Sequence, residues 1–191
     1  MTTQPSQPPA RSRVLQAYED LLINDGPRAA TLDAVAAAAG VSKGGLLYHF
    51  KSKEALTAGL VEKLGELAEV DFALMAKDPD GCAKYYVRTS VFGGTTFDRT
   101  VVAAMRLAQG DDTTVRAAFS KMHERWYQLI LGDIGDPAIA RAVMLIGDGL
   151  YYNAALFGLP AHVGNDAGPD GSVDVQSLLA VVERMGSAPR T

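Results

Sequence analysis

The 191-residue sequence predicts an all-α protein of about nine helices, a small three-helix head followed by a larger helical body. Two observations carry that expectation. Apolar residues recur every three or four positions through nearly every segment, the period of an amphipathic helix, and almost nothing alternates like a strand. The segments are also punctuated as helices are, with Ser, Thr or Asp at their starts and Gly or Pro at their ends.

The first helix is expected from about Ser12 to Asn24, with Val14, Tyr18, Leu21 and Leu22 on one face, and it ends at Asp25-Gly26-Pro27. A short second helix follows, its apolar face made by Leu32, Val35, Ala36 and Ala39. Gly40 can take the left-handed turn conformation. Ser42 then offers an N-cap to a third short helix that holds Leu46 and Phe50 inward. Small Ala36 and Gly40 let the two helices approach closely, so residues of about 32–51 read as a helix-turn-helix, a shape that enters a DNA groove. Ser52 caps a long fourth helix, with Glu54 favoured by the helix dipole in its first turn; it runs to about Lys77 and connects head to body.

In the body, helices are expected over Cys82–Phe92, ended by Gly93-Gly94, and over Phe97–Gln109, closed by Gly110. The next begins near Asp112 and carries Val115, Phe119, Met122, Trp126 and Ile130 at helical spacing. Asp136 caps a helix whose first position is Pro137, and it runs to Phe157 before Gly158-Leu159-Pro160. A loop rich in Gly, Asp and Pro (160–172) precedes a last helix, 173–186, striped by Val175, Leu178, Leu179, Val182 and Met185. The division expected is a disordered tail over 1–9, a head over 10–69 and a body over 70–191.

Composition narrows the functional classes. Apolar residues make up 48% and charged residues 21%, the balance of a soluble globular protein. No window approaches the roughly 20 unbroken apolar residues of a membrane span, and the start MTTQPSQPPARSR lacks the apolar stretch of a signal peptide. One cysteine, Cys82, excludes an internal disulfide and fits a reducing cytoplasm, the expected location. The net charge of −4 is unevenly spread: residues 1–53 hold six Lys or Arg against four acids, and the remainder twelve against eighteen. A basic head on an acidic body suits contact with phosphates through one end only.

The run Thr31-x-x-x-Val35-Ala36-x-x-Ala39-Gly40-Val41-Ser42-Lys43-Gly44, followed by Leu46-x-Tyr48-His49-Phe50-x-Ser52-Lys53-Glu54-Ala55-Leu56, resembles the DNA-binding head of the TetR family of bacterial regulators. The motif covers residues of about 10–69; beyond it the likeness is one of length, helix count and helix order. The resemblance implies a homodimeric repressor of transcription on a palindromic double-stranded operator. It further implies a small organic effector in the body that releases the DNA; no cofactor is expected, and the residues themselves argue against catalysis.

Physical roles follow position by position. Ser42 and the backbone N–H groups that begin the third helix can hold a phosphate, and Lys43 can reach a guanine edge or a phosphate. Gly44 and Gly45 let backbone lie close to the DNA. Tyr48 and His49 would hydrogen-bond phosphates, Lys53 would supply a phosphate-directed charge, and Thr31 can cap the second helix. Arg11 and Arg13 stand where similar proteins add backbone or minor-groove contacts. Two positions depart from the family: Leu47 replaces the usual aromatic, leaving only an apolar touch, and Gly45 replaces a side chain many members use to read bases. Direct readout then rests chiefly on Lys43, with more of the specificity carried by DNA shape. Tyr48 and His49 also suit a packing role.

For the body, the expected ligand-lining residues are Tyr85, Phe92, Met105, Phe119, Met122, His123, Trp126, Asp148, Tyr151 and Tyr152. Phe119, Met122, His123 and Trp126 share one helical face, while Asp148, Tyr151 and Tyr152 share another. An apolar cavity with a few convergent polar groups suits a small ligand, although the same stripe also suits a core. Gly147 and Gly149 read as positions of close helix approach. Dimerisation is expected through the helices at about 137–157 and 173–186 as a four-helix bundle, although the last stripe could equally pack on its own body.

An enzyme or a helical binding protein with a vestigial head is the alternative. Only three histidines are present (49, 123, 162), and Ser120, His123 and Asp148 come with no nucleophile elbow or oxyanion loop. No Cys or His cluster has metal spacing.

Overall fold

The computed structural model describes residues 8–110, 112–157 and 175–186. Among them are nine helices and no strand: α1 (Ala10–Asn24), α2 (Leu32–Ala38), α3 (Lys43–His49), α4 (Lys53–Met75), α5 (Cys82–Thr89), α6 (Thr96–Ala108), α7 (Thr113–Ile134), α8 (Pro137–Phe157) and α9 (Val175–Gly186). The chain is all-α, as its periodicity requires. The expected 160–172 loop, with His162, lies outside the described residues, as does the expected tail apart from Pro8 and Pro9.

Contacts divide the chain into two compact units, one of residues up to 66 together with 99–118, the other of 67–98 together with 119 onward. The sequence-based boundary at 69/70 falls close to the first crossing point, but most of α6 and the start of α7 belong with the head.

In the first unit α1 packs on α2 and α3, and α2 on α3. Each seven-residue helix is too short to persist alone, and each has its first turn capped. Thr31 Oγ1 accepts from the Ala34 N–H at 3.2 Å, and Ser42 Oγ accepts from the Gly45 N–H at 3.0 Å. Between them Gly40 takes φ 63°, so that its own N–H donates to the Ala37 carbonyl and that of Val41 to the Ala36 carbonyl. This doubly bonded ending is a Schellman motif, and it needs the left-handed residue. Val14, Tyr18, Leu22, Val35, Leu46, Leu56 and Leu60 are fully buried. Gly59 completes the packing, because a Cβ there would lie 2.7 Å from the Phe50 ring.

A polar knot sits inside this core. Glu19 is 1% exposed. It accepts from Lys63 Nζ at 2.8 and 2.9 Å and from the Thr100 hydroxyl at 2.8 Å, so α1, α4 and α6 meet on one carboxylate. The neighbouring Asp20 pairs with Arg99.

In the second unit α5 packs against α8 and α9, and α8 against α9. Gly147 makes the α5–α8 approach possible, since a Cβ there would meet the Tyr86 ring at 2.5 Å and Ser90 Oγ at 2.7 Å. Asp133 accepts from the Ala83 N–H at 3.0 Å and so caps α5.

Helix ends differ from expectation for local reasons. α5 stops at Thr89 rather than Phe92, where the Thr89 and Ser90 hydroxyls bond back to the carbonyls of Tyr85 and Tyr86. α6 begins at Thr96 rather than Phe97, because Thr95 and Asp98 form a reciprocal capping box. α4 ends at Met75 rather than Lys77, α1 begins two residues early at Ala10, and the described part of the last helix starts at Val175.

Lys63→Met should strand the buried Glu19 carboxylate and lower unfolding stability by about 3 kcal/mol, the low end for breaking a buried pair. The urea midpoint measures this, and an unchanged midpoint would remove the knot from the forces holding α4 to α1.

Candidate nucleic-acid interface and effector cluster

The short α3 turns its apolar side inward through Leu46, while Phe50 closes the helix from its C-cap. What remains outward is polar. Tyr48 is 84% exposed and makes an edge contact with exposed His49, their ring centroids 5.1 Å apart. A side chain so bare is not packing its own domain, which removes the packing alternative for Tyr48. Leu47 is half-buried. Ser42 Oγ is engaged as the cap, with its hydroxyl hydrogen directed elsewhere.

Lys43 is exposed, but its ammonium lies 2.8 Å from Asp33 Oδ1 on α2, so any DNA contact must compete with that pair. Gly44 faces open space, and a Cβ on it would meet nothing within 4 Å. At Gly45 a Cβ would approach Ser42 Oγ to 3.3 Å, so the absence of a side chain there leaves the cap undisturbed. Thr31 caps α2.

Flanking these, Arg11 pairs with Glu62 at 2.6 Å and lies over the Phe50 ring, 5.4 Å from its centroid. Arg13 reaches the Pro8 carbonyl at 3.4 Å. Lys53, expected to supply a phosphate-directed charge, has its ammonium on the Pro27 carbonyl, tying the start of α4 to the turn after α1.

In the second unit a ring cluster surrounds Trp126, which is 8% exposed. Centroids of Tyr86, His123, Phe72 and Phe97 lie 5.4, 5.6, 5.9 and 6.4 Å from its own, and Phe119 stands 6.5 Å from His123. Two carboxylates border the cluster. Asp71 accepts from Trp126 Nε1–H at 2.8 Å and from the Tyr85 hydroxyl at 2.9 Å. Asp148 accepts from the Tyr86 hydroxyl at 2.7 Å, and His123 Nδ1 stands 3.8 Å from its other oxygen. Burial pushes the Asp71 carboxyl up, with its two hydrogen bonds pulling the other way. Burial, reinforced by the adjacent carboxylates, pushes the hydroxyls of Tyr85 and Tyr86 up as well.

Of the expected ligand-lining residues, Tyr85, Phe119, His123, Trp126 and Asp148 come together here. Phe92 and Tyr151 form a separate edge contact at 6.1 Å, and the Tyr151 hydroxyl donates to the Asp98 carbonyl. Met122 is buried, Tyr152 is 38% exposed, and buried Met105 belongs to the first unit. The sequence reading missed Asp71, Phe72, Tyr86 and Phe97. Asp71 was legible in principle, since Leu64, Ala68, Asp71 and Met75 fall on one stripe of α4, and a carboxylate among such residues marks a buried charge.

Among the described residues no group of His, Cys, Asp and Glu could hold a metal ion, and no helix is long and apolar enough to cross a membrane.

A capped, outward-facing α3 on a tight turn, followed by helices only among the described residues of the body, is the arrangement of a helix-turn-helix head on a helical body. Residues 14–60 match the family described as bacterial regulatory proteins, tetR family, and residues 80–166 match the tetracyclin repressor-like C-terminal domain. The chain belongs to the TetR family of transcriptional regulators. Such regulators bind DNA and small-molecule ligands, usually dimerise, and are generally not enzymes.

A TetR-family transcriptional regulator from Rhodococcus sp. superposes with a TM-score of 0.69 at 17% identity, over 93% of this chain and 99% of that one. The multidrug binding protein EbrR complexed with malachite green gives 0.65 at 22% identity, over 93% and 98%. A transcriptional regulator from Saccharomonospora viridis in complex with choline gives 0.64 at 18%, over 92% and 94%. At these identities the likeness is one of fold. No protein of curated function matches the sequence.

Because its Cβ would meet only open space, Gly44→Ala should leave the fold intact or stabilise it by up to about 1 kcal/mol through helix propensity. The same variant should weaken DNA binding if backbone there lies against the duplex. Thermal unfolding and a gel shift on one preparation separate the two effects, and undiminished affinity would place Gly44 outside the interface.

Proposed function

We propose that this protein is a homodimeric repressor that places α3 of each subunit in the major groove of a palindromic operator and is released by a small organic effector. The observation that carries the reading is the bare surface of α3, where Tyr48 is 84% exposed on a helix too short to exist without the core behind it. Lys43 would trade Asp33 for a guanine edge or a phosphate, Ser42, Tyr48 and His49 would hold phosphates, and Leu47 would touch a thymine methyl. Arg11 and Arg13 would add backbone contacts. With few base-reading side chains, part of the specificity comes from DNA shape and half-site spacing.

The dimer would form through α8 and α9. Leu145 is 65% exposed on α8. One turn further on, Gly149 has nothing within 4 Å of a Cβ, so its own chain gives no reason for a helix-interior glycine. Close approach of a second copy supplies one.

The effector would lodge at the ring cluster around Trp126. The complexes of EbrR with malachite green and of the Saccharomonospora viridis regulator with choline support a small organic ligand for this fold. Release requires that the effector bind more tightly to the conformation whose heads are misspaced for the operator.

A gel shift with DNA from upstream of its own gene tests the central reading: salt-sensitive retention is expected, and no retention of any duplex in an unbiased selection overturns it. Lys43→Ala should weaken binding and flatten base preference at one position per half-site, so an unchanged preference would remove Lys43 from direct readout. Leu145→Asp should give folded monomers with little operator affinity, whereas a variant still dimeric by light scattering would move the interface. Leu145 suits this test better than half-buried Leu179, where a charge would also strain the single chain.

A further inference from the structure

We propose that the effector is an organic cation, held by Asp71 and Asp148 against the rings around Trp126. The proposal rests on the placement of the effector at this cluster and adds its charge.

An indole N–H can only donate, so the Trp126 bond makes Asp71 Oδ2 an acceptor, and the Tyr85 hydroxyl makes Oδ1 one as well. Neither donor brings a positive charge to the Asp71 carboxylate. Among the described residues no Lys or Arg pairs with it. Asp148 is similar: the Tyr86 hydroxyl donates to one oxygen, the His123 imidazole stands 3.8 Å from the other, and among the described residues no Lys or Arg forms an ion pair with it.

The head shows the alternative arrangement, because there the more deeply buried Glu19 is met by Lys63 at 2.8 Å. Two half-buried negative charges without a cation are costly to the folded chain. Both act on one side chain, since each carboxylate contributes to raising the Tyr86 hydroxyl.

The rest of the cluster suits the same ligand class. Tyr86 and Phe72 each offer a π-system within 6 Å of Trp126, and tryptophan is the strongest of the natural rings for a cation. The Asp148 side is reachable from solvent, with the Asp148 and His123 side chains 22% and 32% exposed. An anion would meet two carboxylates, and the guanidinium beside the Tyr85 ring, that of Arg88, is already paired with Asp78 and Asp80; a neutral ring would leave both carboxylates as they stand. An organic cation satisfies rings and carboxylates together.

Trp126 is the only tryptophan in the sequence, so intrinsic fluorescence of the full chain reports on this cluster alone. The titrants are phenyltrimethylammonium, its neutral isostere tert-butylbenzene, and benzenesulfonate. The cation should change Trp126 emission saturably, at a concentration about tenfold below that needed for the neutral isostere, with no response to the anion. Asp71→Asn and Asp148→Asn should each cost about tenfold for the cation and little for the isostere. Equal or better binding of the neutral or anionic probe overturns the charge assignment while leaving the effector site in place. Silence of Trp126 to all three overturns both. The contrast between probes on the unsubstituted protein stands even if one variant fails to fold.

Discussion

Two seven-residue helices cannot hold themselves together in water, because nucleating a helix costs more than one turn of hydrogen bonds returns. Everything that α3 offers to DNA therefore depends on burial of Leu46 and Phe50 in the core that also buries Val14, Tyr18, Leu22 and Val35. Each fully buried side chain contributes about 2–3 kcal/mol. Two hydroxyl caps and the left-handed Gly40 then set the direction in which the second short helix leaves the first. Tyr48 can be left almost wholly exposed because its neighbours in sequence are not.

The same chain treats buried acids in two ways. Glu19 is nearly inaccessible and is matched by an ammonium and a hydroxyl, an arrangement that joins three helices and uses up the charge. Asp71 is matched by an indole and a phenol and Asp148 by a phenol, with the His123 imidazole 3.8 Å from its other oxygen, and among the described residues no Lys or Arg pairs with either. A neutralised buried acid serves the fold. An uncancelled one beside aromatic faces and partly open to solvent is poised toward something not part of the chain, a distinction that burial alone does not reveal.

Glycines sort in the same way once the space around them is known. Gly59 and Gly147 are required by their own chain, where a Cβ would collide with the rings of Phe50 and Tyr86. Gly44 and Gly149 meet nothing. A helix-interior glycine costs about 1 kcal/mol relative to alanine; the proposed DNA and dimer contacts would supply a reason for these two. The sequence reading paired Gly147 with Gly149 as sites of close approach; the first approach is intramolecular, and its own chain does not account for the second.

The sequence by itself determined what is local. Helical periodicity, the caps at Thr31, Ser42 and Asp136, the turn at Gly40 and the outward residues of α3 all act within a few positions, so they can be read along the chain. Helix ends shifted by one to three residues where hydroxyl back-bonding or a capping box intervened, as at Thr89 and Thr95. Only tertiary structure decided what lies far apart in sequence. It turned Lys53 onto Pro27 and set Asp33 against Lys43. It brought Glu19 to Thr100 across 81 positions and Asp71 to Trp126 across 55. Whether a charge is spent on the fold or left for a partner depends on which distant side chain arrives beside it, and packing alone settles that.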